Sequence, residues 1–204
     1  MKNVVLYLTD TMADWEYGHA VAGLAMAEEV MPGRFRLLTV SDGAADNVTT
    51  KGGLRIQPDA TLAELDESQI AMLILPGADT WAEGHDGALS LAERLLASGT
   101  PVAAICGATL GLAHSGLLDG RTHTSNARDF LTGVPGYNGA DQYVDAKVAV
   151  DRDVITAPAV FPVDFAKAIF ERLELFPPAI TDAWYGLYST GERRFYDDLL
   201  AAAQ

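Results

Sequence analysis

The sequence predicts an α/β fold with a mostly parallel central sheet and helices on both faces, and three observations carry that reading. Short β-branched or aliphatic runs alternate with longer Ala- and Leu-rich stretches along the chain. Several of the short runs are apolar without alternation, as strands buried on both faces are. Finally, 204 residues that are 49% hydrophobic and 21% charged can hold a core without staples, and that composition excludes intrinsic disorder.

The elements follow in order. Residues 4–8 form the first predicted strand and residues 15–31 the first helix, whose alanines and glycines let it lie close to a sheet. Further strands are predicted at 34–40, 70–75, 102–105 and 154–157. Helices are predicted at 88–98, with Leu89, Leu91, Leu95 and Leu96, at 108–115, and at 161–173, with Phe165, Ile169, Phe170 and Leu173. Residues 50–59 read as a turn and short edge strand, 133–139 as a loop, and 143–150 as a polar, alternating strand. Phe176-Pro177-Pro178 breaks the preceding helix, and two terminal helices are predicted at 179–188 and 192–203. No irregular stretch is long enough for an interdomain linker, so a single domain over residues 1–204 is expected.

Composition narrows the function. A net charge of −14 argues against nucleic acid as partner, because phosphate binding rests on Lys and Arg. The apolar run at the N-terminus ends at Asp10, too short for a membrane span or a signal peptide, so no membrane partner is expected and the cytoplasm is the default compartment. Cys106 is the only cysteine, which excludes an intramolecular disulfide and a multi-thiolate metal site. The sequence has no Gly-x-Gly-x-x-Gly after a strand, no phosphate-cradling Gly-x-x-x-x-Gly-Lys and no Gly-x-Ser-x-Gly elbow. His19, His85, His114 and His123 are scattered without ligand spacing, and neither a metal nor a cofactor is expected.

Cys106 closes the strand at 102–105, and Gly107 and Ala108 supply the small residues that a sharp turn into a helix needs. A nucleophile on such an elbow is held out at the carboxyl end of the sheet, where α/β folds place ligands. The helix N-terminus is expected to lower the thiol pKa. Glu16 lies just after the first strand, in the first turn of the following helix, and opens at the same sheet edge. A third segment, Leu75-Pro76-Gly77-Ala78, ends a strand where backbone N–H groups can face a developing oxyanion.

Taken with Lys51-Gly52-Gly53-Leu54, Gly116-Leu117-Leu118-Asp119-Gly120-Arg121 and Thr124-Ser125-Asn126, these segments resemble the DJ-1/PfpI family of the class I glutamine amidotransferase-like superfamily. The resemblance runs over most of the chain. It implies a flavodoxin-like three-layer sandwich, a homodimer, and a small-molecule carbonyl or amide substrate. Carried over by position, Cys106 is the family's elbow cysteine, Glu16 the acid that hydrogen-bonds its sulfur, and Gly77, Ala78 and Gly107 the oxyanion donors. His123 is a candidate partner of Cys106, displaced by one or two residues from the histidine that other members carry on the strand after the elbow helix. Ser125 and Asn126 are candidate polar contacts, with Trp15 and Pro158 as further pocket residues. Protease-like members place a histidine directly after the cysteine, where this chain has Gly107, so a Cys-His peptidase is not expected. The implied function is a cysteine-dependent hydrolase, amidase or amidotransferase-like enzyme. The alternatives are glyoxalase-type hydration of 2-oxoaldehydes and a non-enzymatic redox sensor that oxidises Cys106.

Overall fold

The apolar runs pair side by side, which satisfies their backbone groups and buries both faces at once. The computed structural model describes residues 1–43 and 47–202. Strand β1 (Lys2–Tyr7) leads into helix α1 (Asp14–Val30) and strand β2 (Phe35–Ser41). A hairpin of β3 (Val48–Thr49) and β4 (Arg55–Ile56) follows, then the short β5 (Ala60–Thr61) and the central β6 (Ile70–Leu75). Next come α2 (Asp86–Ala97), β7 (Val102–Ile105), α3 (Ala108–His114) and α4 (Arg128–Thr132). The chain continues through β8 (Ala149–Asp151), β9 (Val154–Ala157), α5 (Pro162–Leu173), α6 (Pro178–Thr190) and α7 (Arg193–Ala202). No helix among the described residues is long and apolar enough to cross a membrane.

Seven strands form the central sheet in the order β5-β2-β1-β6-β7-β9-β8, parallel except for β8 on β9. This is the flavodoxin-like arrangement expected from the sequence. Strand periodicity divides the core in two. Val4, Leu6, Met72, Ile74, Ala103, Ile105 and Ile155 face α1 and α5, meeting Leu24, Phe165, Ile169 and Phe170. Val5, Tyr7, Leu73, Leu75, Val102 and Ala104 face the opposite way, toward Leu89, Leu91, Leu95 and Leu112. Each fully buried Leu or Phe contributes about 1.5–3 kcal/mol, so the two layers together hold the sheet rigid beneath its loops.

Two expectations change. The strand expected at 143–150 forms only as β8; Tyr143 makes an isolated parallel bridge to His123, and the segment between runs as irregular chain. The stretch at 50–59 is the β3–β4 turn and its return, outside the main sheet. The last predicted helix begins at Arg193, and Ala203, expected at its end, lies outside the described residues. The aromatics of the C-terminal helices divide their tasks. A Cβ on Gly186 would lie 2.3 Å from the ring of Phe195, which docks α7 onto α6. Tyr185 donates to Asp164 at 2.8 Å, and Tyr188 stays half exposed.

Candidate active site

At the carboxyl end of β7 the backbone turns abruptly. Cys106 adopts φ = 57°, the left-handed region that a residue with a Cβ occupies at an expense of about 1–3 kcal/mol. The turn is clamped on both sides. Cys106 N–H donates to Ala157 O at 2.9 Å, and the Cys106 carbonyl accepts from Thr109 N at 3.1 Å and Thr109 Oγ1 at 2.6 Å. Ser125 Oγ bonds Thr109 Oγ1 at 2.7 Å and secures the clamp from behind. The strained geometry leaves the thiol half-buried, facing the loops at the strand ends.

Glu16 comes to the thiol from α1 and is only 1% exposed. Its Oε2 accepts from Gly77 N–H at 2.6 Å, and its carboxyl lies beside the Cys106 side chain. Gly77 lies between the two. A Cβ there would fall 2.6 Å from Cys106 Cβ, 2.7 Å from Glu16 Oε2 and 2.9 Å from Gly107 N, so no other residue fits.

This packing sets the proton affinities. Burial pushes the Glu16 carboxyl up to about 7, against the opposing pull of its contacts with Cys106 and Gly77 and of the Lys51 charge. Burial also pushes the Cys106 thiol up to about 11, with the Glu16 charge adding to the rise and donors from Asn126 and Gly107 working against it. The expected lowering of the thiol by the helix N-terminus is thereby corrected: α3 has only seven residues, and its dipole is outweighed by desolvation and a neighbouring carboxylate. Between about 7 and about 11 the pair holds one proton, shared between a carboxyl oxygen and a sulfur. Donors around the sulfur favour a thiolate beside a neutral Glu16, while Gly77 N–H favours the reverse.

The remaining expected residues separate into groups. Of the three oxyanion candidates, Gly77 spends its N–H on Glu16, Gly107 N–H is turned to the Cys106 sulfur, and Ala78 N–H has no acceptor among the described residues. Asn126 donates from Nδ2 to Cys106 Sγ at 3.3 Å, while its Oδ1 accepts from Ala159 N at 2.9 Å, which fixes the amide orientation. Ser125, Asn126 and Pro158 line a cavity of about 320 Å³ together with Lys147 and Phe161. Trp15 stands 53% exposed on the first turn of α1.

His123 does not join them, which corrects its expected pairing with Cys106. It is fully buried, its Nδ1 bonds Arg121 O at 2.7 Å, and its Nε2 bonds the Tyr137 hydroxyl at 2.6 Å. Both ring nitrogens are occupied, and burial lowers its pKa, so it stays a neutral packing residue. The amide three residues later makes the contact to sulfur instead.

Trp81, which the sequence places near a strand end as a residue that either lines the pocket or packs, packs behind the elbow. A Cβ on Gly107 would lie 2.8 Å from Ala78 O and 3.1 Å from Trp81 Cδ1, and one on Gly111 would lie 2.6 Å from the Trp81 ring. The indole is 3% exposed, donates from Nε1 to Pro76 O at 2.8 Å, and stacks on His85 at 4.2 Å. It fills the space into which a side chain at position 107 would point. The paired glycines at 107 and 111, one helical turn apart, were the available signal.

Three comparisons bear on this site. A sequence profile of the DJ-1/PfpI family matches residues 2–172. YoaZ of Bacillus subtilis, named an uncharacterized protease, is 37% identical over 98% of this chain and 96% of its own length. The crystal structure of a ThiJ/PfpI family protein from Bacillus anthracis matches with a TM-score of 0.92 at 36% identity, covering 98% of this chain and 96% of that one. A deglycase of Pyrococcus horikoshii is 30% identical over 54% of this chain and 66% of its own length.

Proposed function

The chain belongs to the DJ-1/PfpI family, and from that premise we propose that it is a cysteine-dependent enzyme acting on small carbonyl or amide compounds. Cys106 is the nucleophile and Glu16 the group that holds and returns the proton. The observation that carries the reading is the buried Glu16 carboxyl, held by Gly77 N–H beside a thiol on a strained elbow, where burial raises its proton affinity. In the form of the one-proton pair that has the proton on Glu16, reached by transfer from the thiol, the thiolate sulfur attacks the carbonyl carbon and the π electrons move to oxygen. The N–H groups of Ala78 and Gly107 receive that oxyanion. With an aldehyde, the Glu16 proton passes to the oxygen and leaves a neutral thiohemiacetal. With an amide, the oxyanion re-forms the carbonyl, the C–N bond breaks, and the Glu16 proton goes to the departing nitrogen. Water then cleaves the acyl–sulfur bond to release the acid.

Small substrates fit better than peptides. Protease-like members use a histidine at the position of Gly107, and here Trp81 and Ala78 O stand in its way. The deglycase named among the partial relatives would run on the same addition to a carbonyl. A homodimer in the cytoplasm belongs to this reading, and light scattering on the purified protein tests the dimer. The reaction is tested with a panel of 2-oxoaldehydes, amides and peptides against wild type and Cys106→Ser. Turnover of a small carbonyl or amide compound is expected in wild type alone; no turnover of any panel member overturns the reading.

One observation favours a redox sensor as second reading. The half-buried sulfur already has the Asn126 amide at 3.3 Å, and in this reading the Ala78 and Gly107 N–H groups would receive sulfinate oxygens in place of an oxyanion. Stoichiometric gain of two oxygens on Cys106 under mild peroxide, without turnover of the panel, would favour it.

A further inference from the structure

The turn between β3 and β4 is tied down more firmly than a hairpin tip requires. Thr50, 4% exposed, donates its hydroxyl to Asp14 Oδ1 at 2.6 Å, and Gly52 N–H donates to Asp14 Oδ2 at 2.7 Å. Lys51 N–H donates to Met12 O at 2.9 Å, and Thr49 N–H to Asp10 Oδ1 at 2.8 Å. A Cβ on Gly52 would lie 2.8 Å from Asp14 Oδ2, so the turn sits directly on that carboxylate. These contacts fix the backbone of Lys51 to the β1–α1 connection, which carries Glu16 two residues beyond Asp14.

From that base the Lys51 side chain crosses to the loop after β6. Its Nζ meets Asp79 Oδ1 at 2.8 Å and Oδ2 at 2.9 Å, and Asp79 N–H donates to Thr11 Oγ1 at 2.9 Å. Asp79 lies two residues past Gly77, so the ion pair spans the loops beside the thiol. The ammonium stands within electrostatic range of both Glu16 and Cys106. Its partner holds it weakly, because an ion pair this exposed is worth little in water. A chain of net charge −14 repels anions over most of its surface, which makes a cation beside a nucleophile a local exception.

We infer that Lys51 is the anion-recognition residue of the Cys106 site, and that its substrates carry a carboxylate next to the electrophilic carbonyl carbon. Asp79 occupies the ammonium until such a substrate arrives. The substrate class rests on the proposed cysteine chemistry, while the anion preference of the thiol does not. A 2-oxo acid of the glyoxylate type is favoured over a neutral 2-oxoaldehyde of the same size.

Two alkylating probes of nearly the same shape test this, anionic iodoacetate and neutral iodoacetamide. The ratio of their rates at Cys106 cancels any change in thiolate fraction or in general looseness of the site. Lys51→Met is expected to lower the iodoacetate-to-iodoacetamide ratio by roughly 5- to 10-fold, Lys51→Arg to preserve it, and Asp79→Asn to raise it by about 2- to 3-fold. An unchanged ratio in Lys51→Met overturns the inference. So does a fall in Lys147→Met instead, since Lys147 is the cation lining the neighbouring cavity. Parallel assays with glyoxylate and methylglyoxal separate the two readings. If the ratio follows Lys51 but neither compound is turned over, the proposed reaction falls and the anion site stands. If methylglyoxal is turned over and the ratio ignores Lys51, the reaction stands and the anion site falls.

Discussion

Two polar clusters are buried in the molecule, one around His123 and one around Cys106, and burial has opposite consequences in them. Around His123 the ring nitrogens, the Tyr137 hydroxyl and the Arg121 carbonyl are matched one to one, and two aromatic rings meet the imidazole edge-on. Around Cys106 the backbone is strained, the carboxyl of Glu16 holds its proton more tightly than in water, and the Ala78 N–H lacks an acceptor among the described residues. A saturated cluster stabilises the native state and has no bond left for a ligand. An unsaturated one is destabilising until something enters it, so the imperfect cluster is the better candidate for chemistry even though the other contains the histidine.

Substitutions that act on one cluster and spare the other test that contrast. The largest effect is expected from Cys106→Ser, a fall in turnover on the order of 10³-fold or more, measured on whichever panel compound wild type consumes. Removing the hydroxyl of Tyr137 should leave that turnover within about twofold, because its hydrogen bond serves packing. Next comes Gly77→Ala. The added methyl group must displace Cys106 or Glu16, and a loss of roughly 1–3 kcal/mol in denaturant unfolding is expected, together with a changed thiol titration followed by ultraviolet absorbance.

Glu16→Gln gives a signed effect. Because the native pKa of Glu16 lies near 7 and the unperturbed value is 4.5, the folded protein binds its proton more tightly than the unfolded chain does. Its contribution to stability is complete below about 4.5 and is lost as pH rises through about 7. The neutral amide removes that loss, so Glu16→Gln is expected to be more stable than wild type at pH 8 by about 1–3 kcal/mol, with the gap closing toward pH 4. Thermal melts across that range check it, and a gap that widens on acidification would contradict the assignment. The smallest effect is expected from Tyr137→Phe in the saturated cluster, about 1 kcal/mol of stability at any pH within that range.

The strands were legible because burial on both faces leaves no polar alternation, as in Val4-Val5-Leu6, and no other element of this length needs such a run. Helix α4 was not, since five residues with Leu131 as the only buried position give no period to read. Nor was the outcome at 143–150, where alternation was present but β9 offered partners only to Ala149–Asp151. In the site, the elbow and the approach of Glu16 to it followed from strand ends and family position, whereas the donation of Gly77 N–H to Glu16 in place of an oxyanion did not. Asn126 and His123 could not be ranked, because they lie on an irregular segment where no strand period fixes the face. The role of Trp81 was illegible for a different reason: its effect is exclusion, and it acts on a glycine 26 positions away.

That exclusion ties position 107 to position 81. A single change of Gly107 to histidine would drive a side chain against Ala78 O and the Trp81 indole, and a single loss of the indole would leave a cavity beneath α3. Each step alone is unfavourable, and losing the indole relieves only part of the first, since Ala78 O would still lie 2.8 Å from the new Cβ. A chain built around the indole is thus held to glycine at position 107 by its own packing.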